Sequence, residues 1–193
     1  MKRNKKEFLQ SILIVLLSLM VFVLIIAGYI KIDEYKRSFY RLNTKFDTSD
    51  IITVSNKLPL SSEVGRNYTG SGMEKDIEGY AVFSINNPNE KKVNYEIYIT
   101  KKENQVNSIK SNYISLYLTD WDNNPYDGFD KNETVAYSDL YTLTDKPGSR
   151  LLYKGSLVSG GTKNFILRSW VSDNYVISDE EAMFSYDIDV RIK

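Results

Sequence analysis

The sequence predicts an all-β protein, an antiparallel two-layer β-sandwich that follows a single N-terminal transmembrane helix. Residues 8–30 contain no charged side chain, which indicates the helix. Beyond residue 50, apolar and polar residues alternate at period two, which is typical of strands with one buried face. Turns rich in Gly, Pro and Asn separate these runs, and no long helical pattern interrupts them. This arrangement favours a sandwich with jelly-roll or immunoglobulin-like connectivity.

The apolar run at residues 8–30 is long enough to cross a bilayer. A helix of that length reaches about 35 Å, against about 30 Å for the hydrocarbon core of a membrane. A helix that is apolar on every face has no place in a soluble domain of the size that remains. We therefore interpret residues 8–30 as a membrane span, which makes the membrane one partner of this chain.

The flanks of the span predict its orientation. Residues 1–7 hold four basic side chains, and residues 31–37 mix both signs. The positive-inside rule and the extreme N-terminal position predict a cytoplasmic tail at 1–7 and an extracellular region at 31–193. The exit of the apolar run lacks an A-x-A-like site, so we expect an uncleaved signal anchor; cleavage near Gly28 or Tyr29 is the alternative.

The segment at 31–50 is expected to be a stalk or linker. Large apolar residues recur there at helical spacing, namely Tyr35, Phe39, Leu42 and Phe46. This spacing favours a continuation of the membrane helix. The alternative is a loop or a first strand, because Tyr and Phe also suit strands.

The sandwich is predicted at 51–193. Period-two or short apolar runs predict strands at 51–55, 79–85, 93–100, 114–119, 151–153, 163–171 and 184–192. The glycines and proline of 57–76 indicate a loop there. The loops at 101–112 and 120–149 are longer than hairpins require, so a functional surface is expected on them.

The composition of the chain excludes several classes of partner and of catalytic site. The chain has 25 basic and 25 acidic residues, and residues 31–193 hold 21 and 24 of them, a net charge of −3. This balance argues against a nucleic-acid partner. The chain contains no Cys, so packing alone must hold an exported domain, as is common in Gram-positive bacteria. It contains no His, which removes Ser-His-Asp catalysis and HExxH zinc sites.

Two stretches carry a resemblance to a known family. The first comprises LPLS at 58–61, VFSINNPN at 82–89 and VNYEI at 93–97. The second comprises LYKGSL at 152–157 and GTKNFILRSW at 161–170. This pattern of turns and strands resembles that of the TasA/camelysin group of Firmicute surface proteins.

The resemblance covers about residues 51–193. It implies a jelly-roll-like sandwich on a bacterial surface, in a group whose members include biofilm-fibre subunits and proteins called metalloproteases. This chain has no His and no HExxH motif, so no protease residue can be transferred to it.

One loop has the spacing of a calcium ligand set. Its oxygen-bearing residues are Asp120, Asp122, Asn124 and Asp127. The first three match positions 1, 3 and 5 of an EF-hand loop, but Pro125 and Lys131 occupy the positions that need Gly and Glu. The loop is therefore not an EF-hand. It is either a weak calcium site or a polar loop tip in which these residues form turns.

Three further groups have both a functional and a structural interpretation. A carboxylate cluster could support glycosidase chemistry or be solvated: Asp173, Asp179, Glu180 and Glu181. Arg168 and Trp170 share one strand face. They either form a functional site or pack against each other's surroundings at the edge of the sandwich. Aromatic residues on expected outer faces could pair across strands or bind a partner: Tyr98, Tyr113 and Tyr117.

These observations predict a membrane-anchored cell-surface protein with a structural or protein-interaction role in matrix or envelope assembly. We expect a protein partner or self-association, and no cofactor other than the calcium considered above. An accessory or sensor subunit of an envelope complex is the alternative. A carboxylate-based hydrolase is a further one, although the sequence does not predict an enzyme.

Overall fold

The computed structural model describes residues 5–37, 40–47, 51–68, 78–102, 108–144, 148–177 and 180–193. By its internal contacts the chain divides into two units, Met1–Tyr40 and Arg41–Lys193. The first unit contains one helix, and the second contains two sheets.

Helix α1 spans Lys5–Arg37, which is 33 residues or about 50 Å. Its window Ile12–Lys31 has a mean hydropathy of 3.0, and none of these side chains is buried in the protein. A helix satisfies its own backbone hydrogen bonds, as a segment in hydrocarbon must. In the part of the chain that the structure describes, α1 is the one helix long and apolar enough to cross a membrane.

Nine strands occur among the described residues of the second unit. They are β1 (Asn43–Phe46), β2 (Ile51–Ser55), β3 (Tyr80–Asn86), β4 (Val93–Lys101), β5 (Ile114–Thr119), β6 (Val135–Ala136), β7 (Ser149–Leu157), β8 (Thr162–Val171) and β9 (Met183–Ile192). A short helix α2 (Ser62–Asn67) and 3₁₀ turns at Ser111–Tyr113 and Tyr137–Asp139 connect them.

The strands form two antiparallel sheets, in the orders β1-β3-β8-β5-β6 and β2-β9-β4-β7. Their inward faces build one apolar core. Phe83 of β3 pairs with Phe165 of β8, and the two rings stack with centroids 5.0 Å apart. The predicted two-layer antiparallel sandwich is therefore confirmed.

The alternating strand at the C-terminus lies inside its sheet. Strand β9 pairs with β2 on one side and with β4 on the other. Phe184 and Tyr186 are fully buried and Ile188 is nearly so, while the intervening Ser185 and Asp187 are half-buried. This burial follows the predicted period, so β9 contributes a continuous apolar row to the core.

The expectation that Tyr98 and Tyr117 lie exposed on outer faces is wrong, because each side chain is only 3% exposed. The edge of the Phe129 ring packs on Tyr117, with centroids 6.5 Å apart. The Arg191 guanidinium lies 4.7 Å from the centre of the Tyr98 ring. Loops and long side chains therefore cover outer faces that the alternation marked as solvent-facing. Tyr113 is half-buried against another ring.

Gly79 closes one side of the sandwich. Its N–H donates to the Thr53 carbonyl at 2.9 Å, and its carbonyl accepts the Ser169 N–H at 2.7 Å, so one residue joins the two sheets. Its φ is +74°, and a Cβ there would lie 1.9 Å from the Ser169 oxygen. Only glycine fits this position.

The long segment after β5 closes the other side. Strand β6 pairs with β5, and the Tyr137 ring then contacts Phe184 with centroids 4.9 Å apart. Next, the Leu151 N–H donates to the Tyr141 carbonyl at 2.9 Å, beside the start of β7. Among the described residues, 152–156 of β7 have no strand on their second side. Much of the loop expected to carry function therefore completes the fold.

Three segments differ in detail from the sequence-based description. Residues 57–76, expected as a loop, contain α2, which begins after the Ser61 cap. Strand β7 is longer than the predicted 151–153, because Lys154 and Gly155 interrupt the apolar pattern without ending the strand. The segment at 31–50, interpreted as a stalk or linker, supplies the last turns of α1 and strand β1.

Candidate functional site

Arg168 and Trp170 lie under α2 on the outer face of β8. A Cβ on Gly65 would lie 2.1 Å from the Trp170 ring, so the helix backbone rests directly on the indole. Trp170 is 4% exposed, and its Nε1 has no hydrogen-bond partner among the described residues. The adjacent cavity has a volume of about 50 Å³, which is small for anything beyond water.

Arg168 is 2% exposed and forms no ion pair within the described ranges. Its Nε donates to the Tyr68 carbonyl at 2.6 Å, and its Nη1 donates to Thr119 Oγ1 at 3.0 Å. The guanidinium also lies 5.7 Å from the centre of the Tyr80 ring. Burial lowers the pKa of Arg168, yet a guanidinium stays charged at neutral pH. Arg168 thus ties the end of α2 and β5 to β8, which favours a packing role.

The candidate calcium loop uses Asp120 to hold a turn. Its Oδ1 accepts the Asn124 N–H at 2.8 Å, and its Oδ2 accepts the Asn124 Nδ2 at 3.0 Å. Burial alone would raise the pKa of Asp120, but these hydrogen bonds outweigh it and lower that pKa. Asn123 takes the left-handed conformation, φ 63°, that the tight turn needs.

The four predicted ligands do not line one cavity. Asp122 and Asn124 are exposed and line a polar groove beside α2, whereas Asp127 lines a separate cleft. Within the described ranges, no group of three acidic, His or Cys side chains is placed to hold a metal ion. The choice between a weak calcium site and a polar loop tip stays open, and the turn that Asp120 holds favours the loop tip.

The acidic segment near residue 180 ties two loops together. Glu181 pairs with Lys57 at 2.7 Å, and the Glu180 carbonyl accepts from Asn56 Nδ2 at 2.9 Å. The Asp173 N–H donates to the Leu60 carbonyl at 3.1 Å. Asp179 lies outside the described residues. Three of the four predicted acidic residues therefore help to hold loops together, Glu181 through its carboxylate and Glu180 and Asp173 through their backbones.

A cleft of about 510 Å³ opens beside β7, at the edge of the sheet β2-β9-β4-β7. We call it the edge cleft. Its lining includes Tyr95, Tyr153, Lys154, Gly155 and Lys163, and also Asp127 from the long loop.

Lys163 enters the edge cleft from an inward-facing position. It lies on the same face of β8 as Phe165, which belongs to the core. Its Nζ donates to the Tyr153 Oη at 2.8 Å and lies 4.6 Å from the centre of the Tyr126 ring. Such rings favour a cation over their faces. Lys163 forms no ion pair with any residue that the structure describes.

Tyr95 forms part of the wall of the same cleft, and its hydroxyl is buried behind that wall. The residue is 1% exposed, and its ring contacts Tyr153 and Phe165 with centroids 6.2 and 6.5 Å away. Its Oη has no hydrogen-bond partner in the described part of the chain. Burial raises the pKa of Tyr95, so the hydroxyl keeps its proton and can donate it.

Glu96 forms ion pairs with both of the other lysines of the cleft. Lys154 and Lys193 each place Nζ 3.3 Å from one of its carboxylate oxygens, and the Tyr98 hydroxyl donates to it. Burial alone would raise the pKa of Glu96, but these donors lower it. Among the described residues Lys163 has no carboxylate within ion-pair distance, although its charge contributes to the lowered pKa of Asp120.

The edge cleft was not predicted from the sequence. A signal for Lys163 existed, because the period of β8 puts residue 163 on the buried face with 165 and 167. The pairing of Tyr95 with Gly155 had no such signal, since it depends on the register between β4 and β7.

A comparison with known protein families, with curated proteins and with solved structures finds no match for this chain.

Proposed function

We propose that this chain is a membrane-anchored surface protein of a bacterial cell envelope, and that its sandwich binds a protein partner at the edge cleft. In this proposal α1 is an uncleaved anchor with a cytoplasmic N-terminus. The sandwich lies outside the cell and serves in matrix or envelope assembly.

The observation that carries the proposal is the open part of β7 beside the edge cleft. Residues 152–156 have no neighbouring strand on one side among the described residues. An open edge can accept an extended segment of another chain through backbone hydrogen bonds. Lys163 lies in the adjoining cleft, where it would add side-chain specificity.

The charges that precede the apolar run support the anchored arrangement. Four basic residues precede the apolar run, which favours a cytoplasmic N-terminus. The resemblance of residues 51–193 to TasA/camelysin proteins also favours a role in envelope assembly. The partner is either a different envelope protein or a second copy of this chain.

Site-specific photo-crosslinking in intact cells tests the interaction. A photoreactive residue replaces Ser156, which is exposed in the edge cleft, or Glu90 on an exposed turn as the matched control. We expect an adduct from position 156 alone, at twice the chain mass for self-association or at another mass for a different protein. No adduct, or equal adducts at both positions, would contradict the proposal.

The absence of native Cys makes the topology directly testable. Glu90→Cys should react with a membrane-impermeant maleimide in intact cells, whereas Lys2→Cys should react only after lysis. The full-length protein should stay with the membrane pellet after carbonate extraction. Labelling in the reverse pattern, or release by carbonate, would overturn the anchored arrangement.

A further inference from the structure

We infer that the polar groove beside α2 binds a neutral saccharide. We call this groove the α2 groove; its volume is about 580 Å³, and it shares no lining residue with the edge cleft. The inference goes beyond the protein partner proposed for the edge cleft and does not depend on it.

Hydrogen bonds within the protein fix the three segments that line the α2 groove. Helix α2 is held where the Arg66 Nη1 donates to the Asn132 carbonyl at 3.1 Å. Both carboxylate oxygens of Asp120 hold the turn at 120–124, and the Asp130 Oδ1 accepts the Asn132 N–H at 2.7 Å. The groove is therefore formed before a ligand arrives, which reduces the entropic cost of binding.

Several polar side chains of these segments are available to a ligand. Five of them are exposed in the groove and form no hydrogen bond or ion pair with any residue that the structure describes: Glu63, Asp122, Asn123, Lys131 and Asn132. Because they are exposed, a ligand in the groove exchanges their bound water for its own polar groups.

The balance of charge in the α2 groove does not favour an ion. Its lining contains two acidic and two basic side chains, so the net charge is zero. The other polar residues are mainly amides, namely Asn67, Asn123, Asn124 and Asn132. An amide side chain both donates and accepts hydrogen bonds, and so does a sugar hydroxyl. A neutral ligand that is rich in hydroxyl groups therefore matches this lining.

An exposed aromatic ring belongs to one wall of the groove. Trp121, in the turn at 120–124, is 58% exposed, whereas most tryptophans are largely buried. A sugar ring can place its C–H groups on the flat apolar face of an indole while its hydroxyls bind polar groups. This combination favours a saccharide over a ligand that is polar on every side.

Chitotetraose, a neutral tetrasaccharide with hydroxyl and acetamido groups, is the probe. Full-length protein in phosphocholine detergent micelles, which carry no sugar, is titrated with chitotetraose and with its de-acetylated, cationic form. We expect saturable shifts of the Asn123 and Lys131 amide signals in ¹H–¹⁵N spectra with chitotetraose. Its affinity should change by about twofold at most between low and high salt. The absence of saturable binding at these signals, or equal or tighter binding of the cationic form, would overturn the inference.

Variants locate the binding in the groove. Asn123→Gly removes one amide and keeps the left-handed backbone that the turn requires, and Asn132→Ala removes another. Each should weaken chitotetraose binding by about three- to tenfold, through the loss of one or two hydrogen bonds. Asn94→Ala is the matched control, because Asn94 is an exposed amide of the edge cleft, and it should leave binding unchanged. Unchanged binding in either groove variant, or equal weakening in the control, overturns the inference.

A neutral peptide separates a saccharide ligand from a protein ligand. Acetyl-Ser-Asn-Gly-Ser amide offers hydroxyl and amide groups without a sugar ring, and it is titrated under the same conditions. Tighter binding of chitotetraose than of the peptide supports the inference. Equal or tighter binding of the peptide would assign the α2 groove to a protein ligand and overturn it.

Discussion

The Tyr95 ring lies across Gly155 of the neighbouring strand, with its hydroxyl 2.6 Å from the position that a Gly155 Cβ would take. The two residues face each other in the register of β4 and β7. An aromatic side chain thereby covers a glycine at the edge of the sheet. This contact explains why a residue with low strand propensity stands in β7.

Gly155→Ala should therefore destabilise the sandwich. In an open strand this change normally stabilises, because it lowers the entropy of the unfolded chain. Here the new methyl would meet the Tyr95 Oη at 2.6 Å and the Tyr153 Cε1 at 2.8 Å. We expect a loss of about 1–3 kcal/mol in the free energy of unfolding, measured with urea. Ser156→Ala, at the exposed neighbour, should change it by about 0.5 kcal/mol or less. An unchanged free energy of unfolding in Gly155→Ala would show that the Tyr95 ring moves aside freely.

Glu96 should make stability depend on pH. The Tyr98 hydroxyl and the lysines at 154 and 193 lower its pKa in the folded state, against the opposing effect of burial. A lowered folded pKa gives stability that is present above the unfolded value, about 4.3, and is lost as the pH falls through the folded value. Glu96→Gln should therefore destabilise the protein at pH 7 more than at pH 3.

Urea unfolding of the wild type and Glu96→Gln at both pH values measures this difference. Glu90→Gln, on an exposed turn, is the control and should give curves that stay parallel to the wild type. A gap between wild type and Glu96→Gln that widens as the pH falls would contradict the predicted sign.

Arg168→Lys should cost about 1.5–3 kcal/mol in the free energy of unfolding. The guanidinium reaches the Tyr68 carbonyl and the Thr119 hydroxyl at once, and a lysine ammonium cannot reproduce that fork. Arg66→Lys is the control, because Arg66 makes one exposed hydrogen bond, to the Asn132 carbonyl. Chemical unfolding of both variants checks the contrast, and equal small losses would refute the structural role of Arg168.

The sequence predicts the strands where one face alone is buried. In β3 and β9 the alternation of Ala81, Phe83 and Ile85, or of Phe184 and Tyr186, matches the burial that the structure shows. For β5 the alternation predicts one exposed face, but every residue of this strand is buried. Phe129 and other residues outside the strand cover its second face. Such coverage depends on contacts between residues far apart in the chain, which a local period does not encode.

The candidate site was less predictable than the fold for the same reason. Lys163 has an inward position that follows from the period of β8, but its neighbours Tyr126 and Tyr153 come from other segments. Asp120 illustrates an ambiguity of a different kind: its spacing from Asn124 suits a metal, and both of its oxygens also accept hydrogen bonds within the turn. Short polar segments satisfy turn geometry and metal geometry with the same residues.

Calcium should leave the melting temperature unchanged. Asp120 already uses its two oxygens on Asn124, and Asp127 lines a different cavity from Asp122. Calorimetry of the full-length protein with millimolar calcium, beside magnesium as a control cation, measures the effect. Saturable heat and a higher melting temperature, both removed by Asp122→Ala, would establish the calcium site instead.

The closing strand should be required for the whole sandwich. Ile188 is 7% exposed and pairs with Ile99, inside a sheet where β9 lies between β2 and β4. Burying such a side chain contributes about 1.5–3 kcal/mol, within a total stability of about 5–15 kcal/mol. Ile188→Asp adds the cost of an unpaired buried charge, so the folded state should be lost.

Asp187→Ser is the control on the outer face of the same strand. Asp187 pairs with Lys102 and is half-exposed, so its loss should cost about 1 kcal/mol or less. Circular dichroism and urea unfolding compare the two variants. Deleting residues 183–193 extends the test, because β2 and β4 would both lose their neighbour. A deletion variant that stays folded but no longer self-associates would mean that β9 is exchanged between copies and is not needed for the core.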